Sequence, residues 1–330
     1  MNGFVRRPFD LPQRTHTPPE VFARRNWHRR EFLKSLGIAG VGGLLLPTAG
    51  CSPAPDPETI SKAGKSTDVV AAFSPRFPAP PNPAFEYGRP ETDKSDAARF
   101  TNFYEFSSSK ATYRYVDAFQ PAPWSVEIDG LCNRPARLDL DDLFALAPLE
   151  ERACRHRCVE TWAMCVPWTG YPLQRLLEHV DPQPAARFVR FRTFLDPAVA
   201  PNQKDSSFVW PYDEGLTIDE ARNDLAFLAL GVYGEPLPKQ HGAPVRLVVP
   251  WKYGFKSGKS IVQVTLMSER PATFWNTAIP HEYGFEANVD PDVPHPRWSQ
   301  RREYMLGSKE RYDTVKFNGY GDWVGALYAG

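Results

Sequence analysis

Arg157-Cys158-Val159-Glu160-Thr161-Trp162, running on through Val166-Pro167-Trp168-Thr169-Gly170-Tyr171-Pro172-Leu173, is the stretch from which the rest of the chain is read. A basic cluster of Arg152, Arg155, His156 and Arg157 leads into the cysteine, and Pro167, Gly170 and Pro172 punctuate the residues beyond it. Neighbouring cations favour a thiolate over a thiol, and a thiolate is what a nucleophile or a soft-metal ligand must be. Cys158 is therefore the first candidate functional residue. Three readings of it are open. It is a buried core cysteine without chemistry, since free Cys is among the most buried residue types. It pairs with Cys154 or Cys165, although along a strand an i,i+4 pair lies roughly 13 Å apart, beyond bridging range. Or it is the single cysteine ligand of a metal or metallocofactor whose other parts come from elsewhere. Spacing alone does not choose.

Ordered blocks along the chain do. They are Asn102-Phe103-Tyr104-Glu105-Phe106, Gly231-Val232-Tyr233-Gly234, Gly242-Ala243-Pro244-Val245-Arg246-Leu247 and Val249-Pro250-Trp251-Lys252-Tyr253-Gly254-Phe255-Lys256, followed by His295-Pro296-Arg297-Trp298-Ser299-Gln300 and Phe317-Asn318-Gly319-Tyr320. Together with the cysteine stretch they resemble the sulfite oxidase superfamily. Its members hold molybdenum on a pterin dithiolene and through one protein thiolate. Within it, Arg-Cys-Val-Glu-Thr-Trp is most similar to the catalytic subunits of periplasmic protein-methionine-sulfoxide reductases.

Carried over block by block, the resemblance implies a Mo-molybdopterin cofactor with Cys158 as its metal ligand. About the pterin and its phosphate it implies Asn102, Tyr104, Glu105, Thr193, His241, Arg246, Ser257, Gly258 and Lys259. His241 stands where relatives carry Asn, and both side chains can donate to a pterin ring. Thr101 stands where they carry a second Asn beside Asn102. Glu160 separates the subfamilies. Sulfite-oxidising members place arginines soon after their cysteine, whereas a carboxylate there would repel sulfite and could relay the protons that sulfoxide reduction requires. Its bland alternative is an ion pair with Arg155 or Arg157. Trp162 and Trp168 are expected either to line an apolar mouth for a methionine side chain or simply to pack.

Some of this is also legible without resemblance. A pterin phosphate needs cations and backbone amides, and Trp251 to Ser260 offers Lys252, Lys256, Lys259, two glycines and two hydroxyls just before a strand. A solvated basic hairpin loop would look the same. Zinc is a weak reading, because Cys154 and Cys158 have no second paired element. There is no Gly-x-Gly-x-x-Gly after a strand, no Walker phosphate loop and no His-Glu-x-x-His.

The formal net charge of zero over 330 residues conceals a split. Residues 1–50 carry eight Lys or Arg against three Asp or Glu, leaving 31 against 36 in the remainder. That body is mildly acidic and gives no sign of a nucleic-acid-binding surface. His28-Arg29-Arg30-Glu31-Phe32-Leu33-Lys34 before the apolar run Leu36 to Leu46 resembles a twin-arginine signal, used by proteins that fold around a cofactor before export. Thr48-Ala49-Gly50-Cys51 resembles a lipoprotein attachment box, so Cys51 is either a lipid anchor or near a plain cleavage point. The organisation expected is a signal over 1–50, a Pro- and Ser-rich leader over 51–99, and one cofactor domain over 100–330.

Within that domain, alternation and turn residues predict strands over Trp124 to Gly130, Arg187 to Thr193, Leu225 to Val232, Val245 to Val249 and Ser260 to Ser268. Short helices are expected over Leu138 to Leu146 and Leu173 to Val180, the second begun after Pro172 and ended by Asp181-Pro182. The fold class is α+β with mixed sheet, as the sulfite oxidase resemblance also implies.

The resemblance further implies reduction of methionine sulfoxide in oxidised periplasmic proteins, and a monomer lacking the C-terminal dimerisation domain of sulfite oxidases. Electrons would come from a haem-bearing membrane subunit fed by quinol, since no Cys-x-x-Cys-His haem attachment occurs here. A sulfite dehydrogenase on the same fold and a non-catalytic lipid-anchored binding protein are the rival readings.

Overall fold

The computed structural model describes residues 68–329. The expected export signal, Cys51 and the first part of the leader lie outside them. The strands are β1 (Ser125–Gly130), β2 (Ala136–Asp139), β3 (Glu150–Arg157), β4 (Trp162–Pro172), β5 (Phe188–Thr193) and β6 (Asp213–Thr217), then β7 (Phe227–Val232), β8 (Glu235–Pro236), β9 (Arg246–Val248), β10 (Ile261–Met267), β11 (Arg302–Met305) and β12 (Arg311–Asp313). The helices are α1 (Asp68–Ala71), α2 (Lys94–Arg99), α3 (Leu140–Ala145), α4 (Leu173–Val180), α5 (Ile218–Arg222), α6 (Phe274–Ala278) and α7 (Gly321–Val324).

Two mixed sheets result, and the α+β expectation holds. One has the order β2-β1-β10-β5-β6, with only β1 and β10 parallel. The other runs β12-β11-β4-β7-β8, with β3 also on β4 and β9 also on β7, and β11 parallel to β4.

Local sequence explains most elements. β5 alternates buried and half-buried positions along its whole length, the period-two pattern of a strand with one wet face. β7 is buried at every position, as befits a strand covered on both faces. It starts later than expected, because Leu225 and Ala226 are buried in the connecting turn without joining the ladder. In α4, Leu173, Leu176, Leu177 and Val180 are the buried stripe, and Asp181 closes the helix in the left-handed region at φ 55°. α3 and α5 begin with reciprocal capping boxes, Asp139 with Asp142 and Thr217 with Glu220.

One core joins the inward residues of both sheets, among them Val126, Val189, Phe191, Val264, Leu228 and Leu247, to α4. Each large apolar side chain fully buried there contributes roughly 1.5–3 kcal/mol. Residues of the expected leader take part: Val70, Phe73 and Phe85 belong to this core, and Phe73 stacks on Phe144 at 4.2 Å. A second cluster, with Phe103, Phe106, Phe119 and Phe194, lies under the loop that carries Asn102 and Glu105.

Candidate active site

β3 ends at Arg157 and β4 begins at Trp162, so residues 158–161 are the tip of a hairpin. The Cys158 N–H donates to the Trp162 carbonyl at 2.9 Å, and the Thr161 N–H to the Cys158 carbonyl at 3.0 Å. Thr161 has φ 73°, a conformation that costs a β-branched residue about 1–3 kcal/mol and persists only where surroundings enforce it. They do. Trp298 Nε1 and Gln300 Nε2 donate to the Val159 carbonyl at 2.8 and 2.9 Å, and the Tyr304 N–H donates to the Thr161 carbonyl at 3.0 Å. The C-terminal segment thus clamps the turn that presents the cysteine.

Two side chains, Asn102 and Glu160, reach the Cys158 sulfur, and two more, Lys110 and Trp162, bind Glu160. Asn102 Nδ2 lies 3.5 Å from Sγ and 3.1 Å from Glu160 Oε2, and the Glu160 backbone N–H points at Sγ from 3.5 Å. Glu160 Oε2 lies 3.6 Å from Sγ and receives Trp162 Nε1 at 3.4 Å. Lys110 bonds Glu160 Oε2 closely and donates to Asn102 Oδ1 at 2.5 Å. Burial works to raise the Glu160 carboxyl, but the Lys110 ammonium, with Asn102 and Trp162, outweighs it and holds the group below the ordinary range. Of Thr101 and Asn102, only Asn102 reaches the sulfur; the buried Thr101 hydroxyl has no partner.

Two expectations are corrected here, and the alternative left open for Trp168 is resolved toward packing. Glu160 pairs with neither Arg155 nor Arg157. Arg157 is wholly buried and turns to Glu303 and Gln300, both at 2.8 Å, while Arg155 lies over the Tyr320 ring; Lys110 is the partner instead. Nor do the cations before Cys158 make it a thiolate. Arg152 is spent on Glu150 and Asp224, and burial followed by the Glu160 charge pushes the thiol up to about 12, against the weaker pull of Lys110 and Arg157. A bound metal must displace that proton itself. Trp168 lines no mouth, being fully buried with its ring under the Arg246 guanidinium at 4.6 Å.

The second half of the pocket is cationic. Arg246 on β9 is buried and donates to the carbonyls of His241, Leu247 and Ser257, at 3.0, 3.3 and 3.5 Å. Among the described residues it has no carboxylate partner, and burial pulls it down to about 9. His241 is buried with Nδ1 unpartnered, and burial, then Arg246 and Lys259, depress it to about 3. Lys259 is lowered by burial and by Arg246, against the opposing pull of Glu105 and Cys158. Thr193 Oγ1 donates to buried Glu105 at 2.7 Å, and a Cβ on Gly258 would meet only Thr193 Cγ2, at 3.7 Å.

The loop from Trp251 to Ser260 supplies less than its composition suggests. Lys252 is spent on Glu220 at 2.5 Å and Lys256 on Glu214 at 2.6 Å, both deep in the protein. Ser257 Oγ takes the Val249 N–H at 3.2 Å, and Ser260 Oγ donates to the Ala243 carbonyl at 2.6 Å. Lys259 is left as the loop's available cation.

Tyr104 belongs to the sulfur side: burial, then the charges of Glu160 and Cys158, push its phenol well above the usual range. One site residue, Lys110, had no signal of its own, and another, His156, was read only as part of the basic cluster before Cys158. Lys110 reaches Glu160 by the crossing of a loop, and half-buried His156 faces Arg246, Lys259 and His241 from β3. Gly254 was the available clue to His156, since a Cβ there would lie 2.3 Å from His156 Nε2. One buried soft ligand beside a carboxylate, with an uncompensated arginine, an unpartnered imidazole nitrogen and a lysine nearby, fits a phosphate-bearing pterin that binds a soft metal.

A family model described as an oxidoreductase molybdopterin binding domain matches residues 113–275. The chain is 44% identical over 326 residues to the protein-methionine-sulfoxide reductase catalytic subunit MsrP of Burkholderia mallei, covering 97% of this chain and 94% of the relative. It is 40% identical to that of Ralstonia nicotianae, over 97% and 94%. With that of Gluconobacter oxydans it shares 49% identity over 72% of this chain and 79% of the relative. Among solved structures it is similar to the sulfane dehydrogenase SoxCD of Paracoccus pantotrophus, with TM-score 0.44 and 16% identity, over 70% of this chain and 57% of the other.

Proposed function

Because the chain belongs to the family of protein-methionine-sulfoxide reductase catalytic subunits, we propose that its Cys158 pocket holds a molybdenum–pterin cofactor and reduces methionine sulfoxide, free and protein-bound, to methionine. The observation that carries this reading is the division of the pocket into a sulfur pole and a phosphate pole. Cys158, Glu160 and Asn102 meet at one, and Arg246, with no carboxylate partner among the described residues, stands with His241 and Lys259 at the other. When bound, the cofactor would supply the two-electron reduction by which the sulfoxide oxygen leaves sulfur and departs as water.

The chain's own part is to bind, orient and move protons. Cys158 would be the metal's protein ligand, with Asn102 Nδ2 aimed at its sulfur from 3.5 Å. Glu160, 3.6 Å from that sulfur and held ionised by Lys110, would relay protons one at a time from solvent to the departing oxygen. Arg246, His241, Lys259, Ser257 and Gly258 would hold the phosphate and pterin, and Glu105 and Thr193 close the pocket beneath them. Among the described residues the cation bonded beside the sulfur is Lys110, which Glu160 neutralises, so an anionic substrate such as sulfite would find little free counter-charge at that point.

The twin-arginine pattern supports export of the loaded protein to the periplasm, with Cys51 as a point of lipid attachment. There it would repair oxidised envelope proteins with electrons from a haem-bearing, quinol-linked membrane subunit. The test is elemental analysis of the purified protein and of Cys158→Ser, with turnover of methionine sulfoxide and, separately, of sulfite. Molybdenum near one per chain and sulfoxide turnover, both lost in the variant, is the expected result. Sulfite turnover alone, or no molybdenum where a relative acquires it, would overturn the proposal.

A further inference from the structure

Lys110 and Asn102 decide which way a hydrogen bond to the Cys158 sulfur runs. An asparagine amide has one accepting and one donating end, and nothing intrinsic says which end faces a neighbour. Here Asn102 Oδ1 accepts from Lys110 Nζ at 2.5 Å, which obliges Nδ2 to face Glu160 Oε2 at 3.1 Å and Cys158 Sγ at 3.5 Å. An ammonium has three donors and no acceptor, so it cannot satisfy the amide in the reversed orientation. The reversed amide would also set Oδ1 against the Glu160 carboxylate.

The same ammonium bonds Glu160 Oε2, so one cation both fixes the amide and neutralises the carboxylate that lies 3.6 Å from the sulfur. Lys110 is held to this task by its backbone: its carbonyl accepts the Thr101 N–H at 2.9 Å, and Thr101 pairs with Ala111. That bridge ties the lysine to the residue before Asn102. Its Nζ stands 6.0 Å from the Tyr104 ring, which shields one side of the contact.

From this geometry we infer that Lys110 is a positioning residue that sets the electron affinity of the metal site, acting through Asn102 and Glu160 and touching neither metal nor substrate. An N–H donated to a ligand sulfur withdraws electron density from it, and outer-shell hydrogen bonds and charge of this kind tune a metal's potential. Losing the oriented amide and losing the positive charge both favour the oxidised metal. Lys110→Met should therefore shift the midpoint potential of the bound molybdenum to a more negative value. Lys110→Arg keeps the charge and offers donors to both acceptors, so it should restore most of the wild-type value.

The inference rests on the assignment of Cys158 as the metal ligand, and the experiment separates the two. Purified wild type, K110M and K110R are compared by metal content, redox titration of the molybdenum signal and its paramagnetic resonance spectrum at the one-electron stage. Absence of molybdenum from the wild type would defeat the ligand assignment. Loaded K110M with a more negative potential and an altered spectrum, both recovered in K110R, is the expected outcome. Loaded K110M with the wild-type potential and spectrum would overturn the inference, leaving Lys110 an ordinary ion-pair partner. An equal shift in K110M and K110R would overturn it as well, by tracing the change to packing. If K110M does not load, Asn102→Leu, which removes the amide and keeps the lysine, must still give a negative shift from loss of the donated N–H, and an unchanged potential counts against the inference.

Discussion

His241 is a buried neutral ring, with Arg246 from β9, Lys259 ahead of β10 and His156 from β3 facing it and, among the described residues, no carboxylate bonded to it to welcome a proton. Its folded pKa is about 3, against an ordinary 6.5. Between those values the unfolded chain binds the proton and the folded one does not, so the stability tied to the neutral ring is complete above about pH 6.5 and erodes as pH falls toward 3. For the cofactor-free protein this residue alone should cost about 1.4 kcal/mol on going from neutrality to about pH 5.5. His241→Asn should flatten the pH dependence of the denaturant midpoint by that amount, leaving the slope due to His156. Parallel slopes in the two proteins would show that the buried ring takes up its proton within the fold. A second prediction concerns Glu160. Glu160→Gln keeps the shape and the Trp162 contact but removes the carboxylate, so kcat for methionine sulfoxide should fall about 10²-fold or more while metal content stays near that of the wild type. Unchanged kcat would remove Glu160 from proton handling. At this scale the sequence showed the residues and hid their partners. Arg155 and Arg157 alternate along β3 and leave toward Tyr320 and Glu303, whereas Glu160 sits beyond the strand end in a turn that faces the loop of Lys110. No spacing rule joins positions so far apart in the chain.

Elements were legible where one face is wet or a breaker stands at the end. β1 and β5 show alternation, and α4 begins after Pro172 and stops at Asp181 where the sequence marks both. β4 ends at the breaker Pro172 but shows no alternation, because nearly every residue in it is buried. Its control lies in Gly170. There the register with β7 shifts, and an added Cβ would stand 2.0 Å from the Leu228 carbonyl oxygen and 2.9 Å from Ala229 Cα. Backbone cannot give way as a side-chain tip can, so Gly170→Ala should cost about 2–3 kcal/mol or more. Gly321, at the first position of α7, is the opposite case: its nearest neighbour would be Phe317 Cδ2 at 4.0 Å. Gly321→Ala should stabilise by about 0.4–1 kcal/mol through the unfolded chain. Thermal melts of the two variants beside the wild type check both signs, and a G170A melt equal to the wild type would mean that the two strands can part without loss.

Across the whole molecule, the two sheets are joined by charge as well as by core. Glu214 on β6, at the edge of the first sheet, reaches Lys256 in the loop after β9 of the second, and Glu220 at α5 reaches Lys252 in the same loop. Burial pushes the Glu214 carboxyl up and pulls Lys252 down to about 8, so each charge would be costly alone. These pairs explain why a loop rich in lysine, which reads as a phosphate grip, spends two of its three cations on its own placement and presents only the third. Removing one partner leaves the other buried and uncompensated: Lys256→Met should cost about 3–5 kcal/mol. Glu214→Leu combined with Lys256→Met replaces the pair by apolar groups of similar size and should recover most of that loss. If the pair also sets the loop against β6, the double variant should regain its denaturation midpoint yet carry less molybdenum than the wild type, because Ser257, Gly258 and Lys259 come directly after Lys256. Full molybdenum content in the stable double variant would assign the pair to stability alone; a double variant no more stable than K256M would show that the interior there tolerates charge better than it tolerates methyl groups.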